Sequence, residues 1–180
     1  DLDGDGLGEF VVTGGGNISI FDSDCWMLDS WEVASGGNGG PATIADYDGD
    51  GEPEIGVAER VAYTCYDTDG TVLWVNLVAD YSSHSTGSSV YDFEGDGYAE
   101  VVYADEESLW IYQGATGIVR LEETTHQSGT VNEYPVVVDV DGDGEVEIVV
   151  PDDKGVYVVG DEDHSGCQRV RSGINPLTIS

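Results

Sequence analysis

The chain is poor in positive charge. Five lysine and arginine residues stand against 37 aspartate and glutamate residues, which gives a formal net charge of −32 at pH 7. Nucleic acid and anionic membrane surfaces both require a basic patch, so neither is an expected partner. No apolar run approaches the roughly 18 residues that a membrane helix needs, so we expect no membrane insertion.

Further absences narrow the fold and the function. No stretch of ten or more residues places apolar side chains at helical spacing, so we predict an all-β protein. The sequence contains no nucleophile elbow, zinc-protease helix or phosphate loop, so we predict no catalytic site. The three cysteines are odd in number and predict no disulfide framework. Cys65, among apolar and aromatic residues, is expected to be a buried thiol, and a Cys25–Cys167 bridge stays an open alternative.

What the chain has in abundance is one twelve-residue pattern, written four times. The copies occupy residues 1–12, 46–57, 92–103 and 139–150, and each joins an acidic loop to an apolar run. Counting from the first Asp, carboxylates occupy positions 1, 3, 5 and 9, and glycine occupies positions 4 and 6. Ca²⁺ takes about six to eight oxygen ligands, and carboxylates this close repel one another without a cation. Four copies in phase favour metal loops over the alternative of solvated acidic turns.

The closing ligand separates this loop from a helix-loop-helix calcium site. That site ends on a bidentate Glu at position 12, whereas position 12 here is valine or, in the third copy, tyrosine. We expect the Glu at position 9 to complete the shell and the carbonyl at position 7 to add an oxygen, for up to four Ca²⁺ ions. The predicted metal ligands are Asp1, Asp3, Asp5, Leu7, Glu9, Asp46, Asp48, Asp50, Glu52, Glu54, Asp92, Glu94, Asp96, Tyr98, Glu100, Asp139, Asp141, Asp143, Glu145 and Glu147.

The spacing of the loops predicts the architecture. The loops begin 45, 46 and 47 residues apart, which is the length of one four-stranded β-propeller blade. We predict a single repeat domain, residues 1–180, with repeats 1–45, 46–91, 92–138 and 139–180, each of four antiparallel strands. The predicted strands are Phe10–Thr13, Ile18–Phe21, Trp26–Val33, Pro41–Ala45, Ile55–Ala58, Val61–Tyr66, Thr71–Val78, Ser88–Tyr91, Val101–Ala104, Ser108–Gln113, Ile118–Glu122, Pro135–Val138, Ile148–Pro151, Val156–Val159, Cys167–Arg171 and Pro176–Ser180.

The two ends of the chain match each other. Pro176–Ser180 resembles Pro41–Ala45, the strand that precedes the second loop, whereas Asp1 begins a loop with no strand before it. The strand at 176–180 therefore belongs with the first loop, which closes a four-bladed ring, or with a following loop in a longer propeller or array. A native chain seldom begins on a metal ligand, which slightly favours the second alternative. The absence of an initiator Met and of a signal peptide likewise predicts a chain that is processed or cut from something longer.

These loops and the strands after them resemble the FG-GAP/VCBS repeat family, the calcium-loop blades of integrin-α-like propellers and of many bacterial secreted proteins. The Phe-Gly and Gly-Ala-Pro elements of the family name are missing, so the bacterial branch is the closer resemblance. The resemblance implies Ca²⁺ ligation at positions 1, 3, 5, 7 and 9, with Glu94 departing from Asp at position 3. The segments 67–74 and 114–117 also resemble outer-strand turns of quinoprotein-type propellers, without implying a quinone cofactor.

A second face is a candidate ligand site. His84 and His126 lie in matched phrases between one repeat and the next, which strand alternation places opposite the metal loops. A sugar or peptide could bind there, and the alternative is that both histidines make structural hydrogen bonds in the connectors. His164 is expected in an exposed turn. The other residues assigned to this ligand face are Trp31, Glu59, Asp105, Glu106 and Asp152.

Together these features predict a non-catalytic, calcium-binding extracellular repeat protein that serves adhesion, surface display or assembly. Its expected partner is a protein or glycan at the cell surface, or another copy joined head to tail, even as a filament. A secreted, cell-surface or periplasmic location fits, because weak calcium sites stay empty in the cytosol. The alternatives are a lectin-like, carbohydrate-binding propeller and the propeller part of a polysaccharide lyase. Few cations are present to neutralise a uronate, which disfavours the lyase.

Overall fold

The computed structural model describes residues 1–82, 86–129 and 133–160, and these residues form strands without helices. The all-β prediction is confirmed, and every described strand begins and ends within two residues of its predicted bounds. The strands are Phe10–Gly14 (β1), Asn17–Phe21 (β2), Met27–Glu32 (β3), Thr43–Ala45 (β4), Glu54–Ala58 (β5), Ala62–Tyr66 (β6), Val72–Leu77 (β7), Ser88–Tyr91 (β8), Glu100–Ala104 (β9), Leu109–Tyr112 (β10), Val119–Glu123 (β11), Val136–Val138 (β12), Glu147–Asp152 (β13) and Gly155–Val159 (β14).

The strands form four antiparallel sheets in which sequence neighbours pair. The second sheet is β4-β5-β6-β7 and the third is β8-β9-β10-β11. Within the described residues, the first sheet is β1-β2-β3 and the fourth is β12-β13-β14. The predicted strands Cys167–Arg171 and Pro176–Ser180 lie outside those residues. The first acidic loop leads into β1, and in each of the other three sheets the acidic loop links the first strand to the second.

The middle strands of the second and third sheets are apolar on both faces because each of these two sheets packs between two others. All five residues of β5 and of β9 are buried. Side chains alternate along a strand, so Ile55 and Val57 pack against the first sheet while Ala58 packs against the third. On β9, Val101 and Tyr103 likewise face the second sheet. Residues of β9, β10, β13 and β14 form the core between the third and fourth sheets.

The first strands of neighbouring sheets contact one another. The hydroxyl groups of Thr43 and Ser88 are 2.6 Å apart across β4 and β8, and the Ser89 hydroxyl donates to the Pro135 carbonyl beside β12. Among the described residues, no strand of the first sheet pairs with the fourth. The structure therefore establishes four blade-like sheets in series, with the first strands of the second, third and fourth sheets side by side.

Candidate metal centres on one face

The four acidic loops share one backbone conformation. The glycines at positions 4 and 6 all have positive φ angles, between +68° and +100°, which other L-residues rarely adopt. In every loop the position-1 carboxylate accepts a hydrogen bond from the position-6 amide, at 2.8–3.1 Å. The position-5 carboxylate accepts one from the position-7 amide, at 2.7–3.0 Å. Local chemistry alone therefore curls each loop around its carboxylates.

The Glu at position 9 is held differently because it opens a buried strand. One of its oxygens accepts a hydrogen bond from the position-2 amide in all four loops, at 2.5–3.1 Å. Glu54, Glu100 and Glu147 are at most 3% exposed. Each buried carboxylate thus stands at the inner wall of its loop, in the place predicted for the closing ligand.

The structure brings most of the predicted carboxylates together. Three ligand atoms lie within 4.8 Å of one another in each loop. Positions 1, 3 and 5 meet in the first two loops, whereas positions 1, 3 and 9 meet in the third and fourth. The position-5 residues Asp96 and Asp143 lie outside those tight groups, although they accept the same position-7 amide hydrogen bond as Asp5 and Asp50. The groups are Asp1, Asp3 and Asp5; Asp46, Asp48 and Asp50; Asp92, Glu94 and Glu100; and Asp139, Asp141 and Glu147.

The pKa values of the loop carboxylates are shifted by burial and by the negative charges around them. Burial raises the pKa of Glu54 to about 7, and the charges of the neighbouring Asp residues add to that rise. Burial raises the pKa of Glu100 to about 7 as well, helped by Glu94. By contrast, the amide of Gly97 heads the backbone hydrogen bonds that lower the pKa of Asp92. A cation at the loop centre would offset this repulsion.

The third loop departs from the others at Glu94. In the other three loops the position-5 amide donates to the position-3 Asp, at 3.1–3.2 Å. In the third loop the Asp96 amide donates to Asp92 instead, at 3.0 Å. The longer arm of Glu94 brings its carboxylate within 4.8 Å of Glu100. Glu94 therefore stays in the carboxylate group but reaches it by a different route.

The donor set fits a hard cation. All the converging side chains offer carboxylate oxygen, and in three of the loops a buried Glu backs the centre. Oxygen ligands in a loop of alternating carboxylates suit Ca²⁺, whereas zinc sites usually use nitrogen or sulfur. Positions 1, 3, 5 and 9 would hold the ion.

The opposite face holds the connectors between repeats. The Glu59 carboxylate is fully buried and accepts hydrogen bonds from the Ala34 and Ser35 amides, at 3.2 and 2.5 Å, and from the Tyr66 hydroxyl. Asp105 occupies the same repeat position in the third sheet. It is 3% exposed and accepts a hydrogen bond from the Ala79 amide at 2.8 Å.

The sequence analysis assigned Glu59 and Asp105 to a ligand face. The structure places both carboxylates inside the protein, where they tie each connector to the turn after β5 or β9. The sequence analysis did not predict this role. An acidic residue nevertheless recurs two residues after the twelve-residue pattern, at position 14 counted from the first Asp (Glu59, Asp105 and Asp152), and this recurrence could have indicated it. We call Glu59 and Asp105 the connector clamps.

The histidine prediction receives a partial answer. His126 is fully buried, and its Nδ1 atom lies 3.1 Å from the Tyr157 hydroxyl. A ring without exposed surface offers nothing to a ligand, so the geometry matches the structural alternative. His84 and His164 lie outside the described residues. Cys65 is buried, as predicted.

An open cleft of about 260 Å³ lies beside the connector clamp Asp105, between the second and third sheets. Its wall includes the half-buried Trp110, whose indole donates to Asp105 at 2.9 Å, and the exposed Tyr81. Glu107 and Glu122 add negative charge. The lining residues are Leu77, Val78, Ala79, Tyr81, Asp105, Glu107, Ser108, Trp110 and Glu122.

Residues 92–150 match the family model of the FG-GAP-like repeat. The chain contains an FG-GAP-like repeat. The matched segment runs from the third loop to the fourth loop and most of β13, and it confirms the resemblance derived from the loop pattern. A sequence search of curated proteins finds no match. In the described residues, no helix is long and apolar enough to cross a membrane.

Solved structures share the arrangement of the sheets. The biofilm matrix protein Bap1 of V. cholerae has a TM-score of 0.55 and 21% identity over 84% of this chain. The C-terminal domain of Pseudomonas aeruginosa PilY1 has a TM-score of 0.59 and 19% identity over 83%. The chain spans 34% of the Bap1 structure and 38% of the PilY1 structure. The exotype rhamnogalacturonan lyase YesX has a TM-score of 0.41 and 16% identity over 74% of this chain and 36% of its own, too low to argue from.

Proposed function

We propose that this chain is a calcium-binding β-propeller segment of an extracellular protein that serves adhesion, surface display or assembly. Its FG-GAP-like repeat and the blade-like sheets support the architecture. The likeness to Bap1, itself a biofilm matrix protein, fits a role outside the cell. The partner would be a protein or glycan at the cell surface.

One observation carries the calcium proposal. A buried Glu stands behind the clustered Asp carboxylates of the second, third and fourth loops, with one oxygen already fixed by the position-2 amide. Burying a carboxylate beside several others is costly unless a positive charge joins them. A repeated arrangement of this kind is what a resident cation stabilises.

The loop residues would divide the work. The carboxylates at positions 1, 3, 5 and 9 and the carbonyl at position 7 would supply oxygen ligands. When bound, Ca²⁺ would supply positive charge that pins each loop to the strand after it. Sites of this extracellular type have dissociation constants of about 10⁻⁴ to 10⁻³ M, so they would fill outside the cell and stay empty in the cytosol.

Calcium removal tests the proposal. With millimolar calcium and a dissociation constant of about 10⁻⁴ M, each site adds roughly 1.4 kcal/mol, and four independent sites add roughly 5–6 kcal/mol. Because that approaches the typical net stability of a domain, about 5–15 kcal/mol, we expect EGTA to lower the Tm sharply or unfold the chain. A calorimetric Tm that is the same with and without EGTA would rule out the metal sites.

Two matched variants separate ligand loss from turn loss. The Asp50 carboxylate accepts a hydrogen bond from the Glu52 amide at 2.8 Å, and the Asp69 carboxylate accepts one from the Thr71 amide at the same distance. Both Asp50→Ala and Asp69→Ala therefore remove one turn hydrogen bond, but only Asp50→Ala removes a ligand. We expect Asp50→Ala alone to lose part of the calcium-dependent rise in Tm. Equal loss in both variants would mean that the loops are only acidic turns.

The open cleft favours a lectin-like role as the second candidate. Trp110 and Tyr81 offer aromatic surface, and Glu107 and Glu122 can accept hydrogen bonds from sugar hydroxyls. A glycan array with calcium present tests this role. Glycan binding that Tyr81→Ala abolishes would support this role, provided that Ile118→Ala, in the exposed turn before β11, leaves the binding intact. An array without any specific signal would leave the first candidate standing alone.

A further inference from the structure

The second and third acidic loops touch each other. The amide of Ala99, at position 8 of the third loop, donates a hydrogen bond to the carbonyl of Asp46, at position 1 of the second. The N···O distance is 3.3 Å, at the long end for such a bond. Asp46 also supplies a carboxylate to the second loop's ligand group, so one residue serves both loops.

Within the residues that the structure describes, the corresponding bond is absent between the first and second loops and between the third and fourth, and sequence explains the first of these absences. At the junction of the first and second loops, position 8 is Pro53, which has no amide hydrogen to donate. At the junction of the third and fourth loops, position 8 is Val146. Its amide forms no hydrogen bond with Asp92 in the described part of the chain.

A ring contact reinforces the same junction. The aromatic ring of Tyr98, at position 7 of the third loop, packs against Gly49 in the second loop. A Cβ atom added to Gly49 would come within 2.5 Å of that ring. The counterparts of Gly49 in the first and third loops, Gly4 and Gly95, have nothing within 4 Å of such an atom. Tyr98 is the only aromatic residue at position 7 among the four loops.

We propose that the second and third loops bind calcium as a coupled pair, while the first and fourth bind it independently. This inference rests on the proposed calcium function. Filling the second loop fixes Asp46, whose carbonyl then holds the peptide of Ala99. That peptide lies between Tyr98 and the closing ligand Glu100. Part of the third loop is then already ordered, so calcium binding to the third loop has to order fewer residues. The coupling is reciprocal by linkage.

Electrostatics opposes this coupling. A cation in one loop reduces the negative potential that attracts a cation to the next. The loops are exposed, and at about 0.15 M salt the Debye length is about 8 Å, so this opposition is screened. Contact-mediated coupling is a short-range effect and persists as salt is raised. We therefore expect the affinities to be cooperative at physiological salt, with no loss of cooperativity at about 0.5 M.

Site-resolved titration provides the test. The position-6 glycine amides donate to position-1 carboxylates in every loop, so Gly6, Gly51, Gly97 and Gly144 each report on their own site. Their amide resonances would be followed by NMR as calcium is added to the whole chain. Loss of the second site through Asp50→Ala should raise the calcium concentration needed at Gly97 about fivefold or more. Loss of the fourth site through Asp143→Ala should change it less than about twofold.

A variant of Tyr98 tests whether the ring contact carries the coupling. Tyr98→Ala removes the ring contact and keeps the position-7 carbonyl, and Glu145→Ala makes the matched change in the fourth loop. In a protein that carries Tyr98→Ala, Asp50→Ala should raise the calcium concentration needed at Gly97 by a smaller factor. In a protein that carries Glu145→Ala, Asp50→Ala should raise that concentration as much as it does in the wild type. Asp50→Asn, which keeps an acceptor for the Glu52 amide, serves where Asp50→Ala fails to fold.

The outcomes separate the two proposals. Equal shifts at Gly97 from Asp50→Ala and Asp143→Ala, or none from either, would overturn the coupling and leave the calcium sites in place. Silence of all four glycine amides at about 10 mM calcium would instead overturn the calcium function on which the coupling rests.

Discussion

At the residue scale, buried acids in this protein do two jobs. The position-9 glutamates back the acidic loops on one face, and the connector clamps Glu59 and Asp105 tie down the connectors on the other. The clamps are satisfied by backbone and side-chain donors, as burial of a carboxylate requires. Both kinds of buried acid accept amide hydrogen bonds, and the neighbouring loop carboxylates are what distinguish the position-9 glutamates as candidate cation ligands.

His126 should give the protein a measurable pH dependence. Burial lowers the pKa of His126 from its usual 6.5, and nearby carboxylates, Glu133 foremost, offset only part of that shift. The unfolded chain therefore binds the proton more readily than the folded protein does. The contribution of neutral His126 to the stability is fully present above about pH 6.5, and it is lost as the pH falls through the pKa of His126 in the folded protein. We expect the Tm of His126→Asn to decline less than that of the wild type between pH 7 and 5.5. The loop carboxylates titrate in both proteins, so parallel declines would show that His126 contributes nothing.

At the element scale, tryptophans on outer strands lock one sheet to the next. The indole of Trp74, on β7, donates to the Gly114 carbonyl at 2.5 Å and covers Gly117 in the outer turn of the third sheet. Trp31, on β3, covers Gly70 in the corresponding turn of the second sheet. The turns that resembled quinoprotein-type propellers are thus docking surfaces for the preceding sheet.

This lock predicts a difference between two glycine substitutions. Gly117 has a φ of +68° and Gly36 has a φ of +73°, so alanine is strained at both by about 1–2 kcal/mol. A Cβ atom at Gly117 would lie 2.7 Å from the Trp74 ring, whereas at Gly36 nothing lies within 4 Å. Overpacking should cost Gly117→Ala about 1–3 kcal/mol more in the free energy of unfolding by urea. Similar losses would show that the Trp74 contact adjusts freely.

At the scale of the whole molecule, the two end sheets expose apolar faces. Phe10 and Val12 point away from the second sheet and are 54% and 51% exposed; Val136 and Val138 point away from the third and are 51% and 40% exposed. The counterparts of Phe10 and Val12 on the inner sheets, Ile55, Val57, Val101 and Tyr103, are buried. Apolar faces of this kind are ones that a further sheet or another copy of the chain would bury.

Head-to-tail contact between copies predicts concentration-dependent association. We expect the sedimentation coefficient of the isolated chain to rise with concentration, since apolar patches of this kind recruit partners. Val12→Lys and Val138→Lys, one on each end sheet, should both suppress that rise. Ile118→Lys, at a position that is 59% exposed in an outer turn, should not. If the sedimentation coefficient rises with concentration to the same extent in all three variants, the end faces are not the contact between copies.

Sequence by itself determined the all-β class, the strand centres and the acidic loops. These depend on local chemistry: glycine at positions 4 and 6 permits the turn, carboxylates at positions 1 and 5 accept nearby amides, and apolar runs specify buried strands. Tertiary structure decided which polar side chains are enclosed. Glu59, Asp105 and His126 looked like surface residues, yet a neighbouring sheet or connector covers each of them. The contact of Tyr98 with Gly49 likewise joins residues of different repeats, because only packing brings their loops side by side.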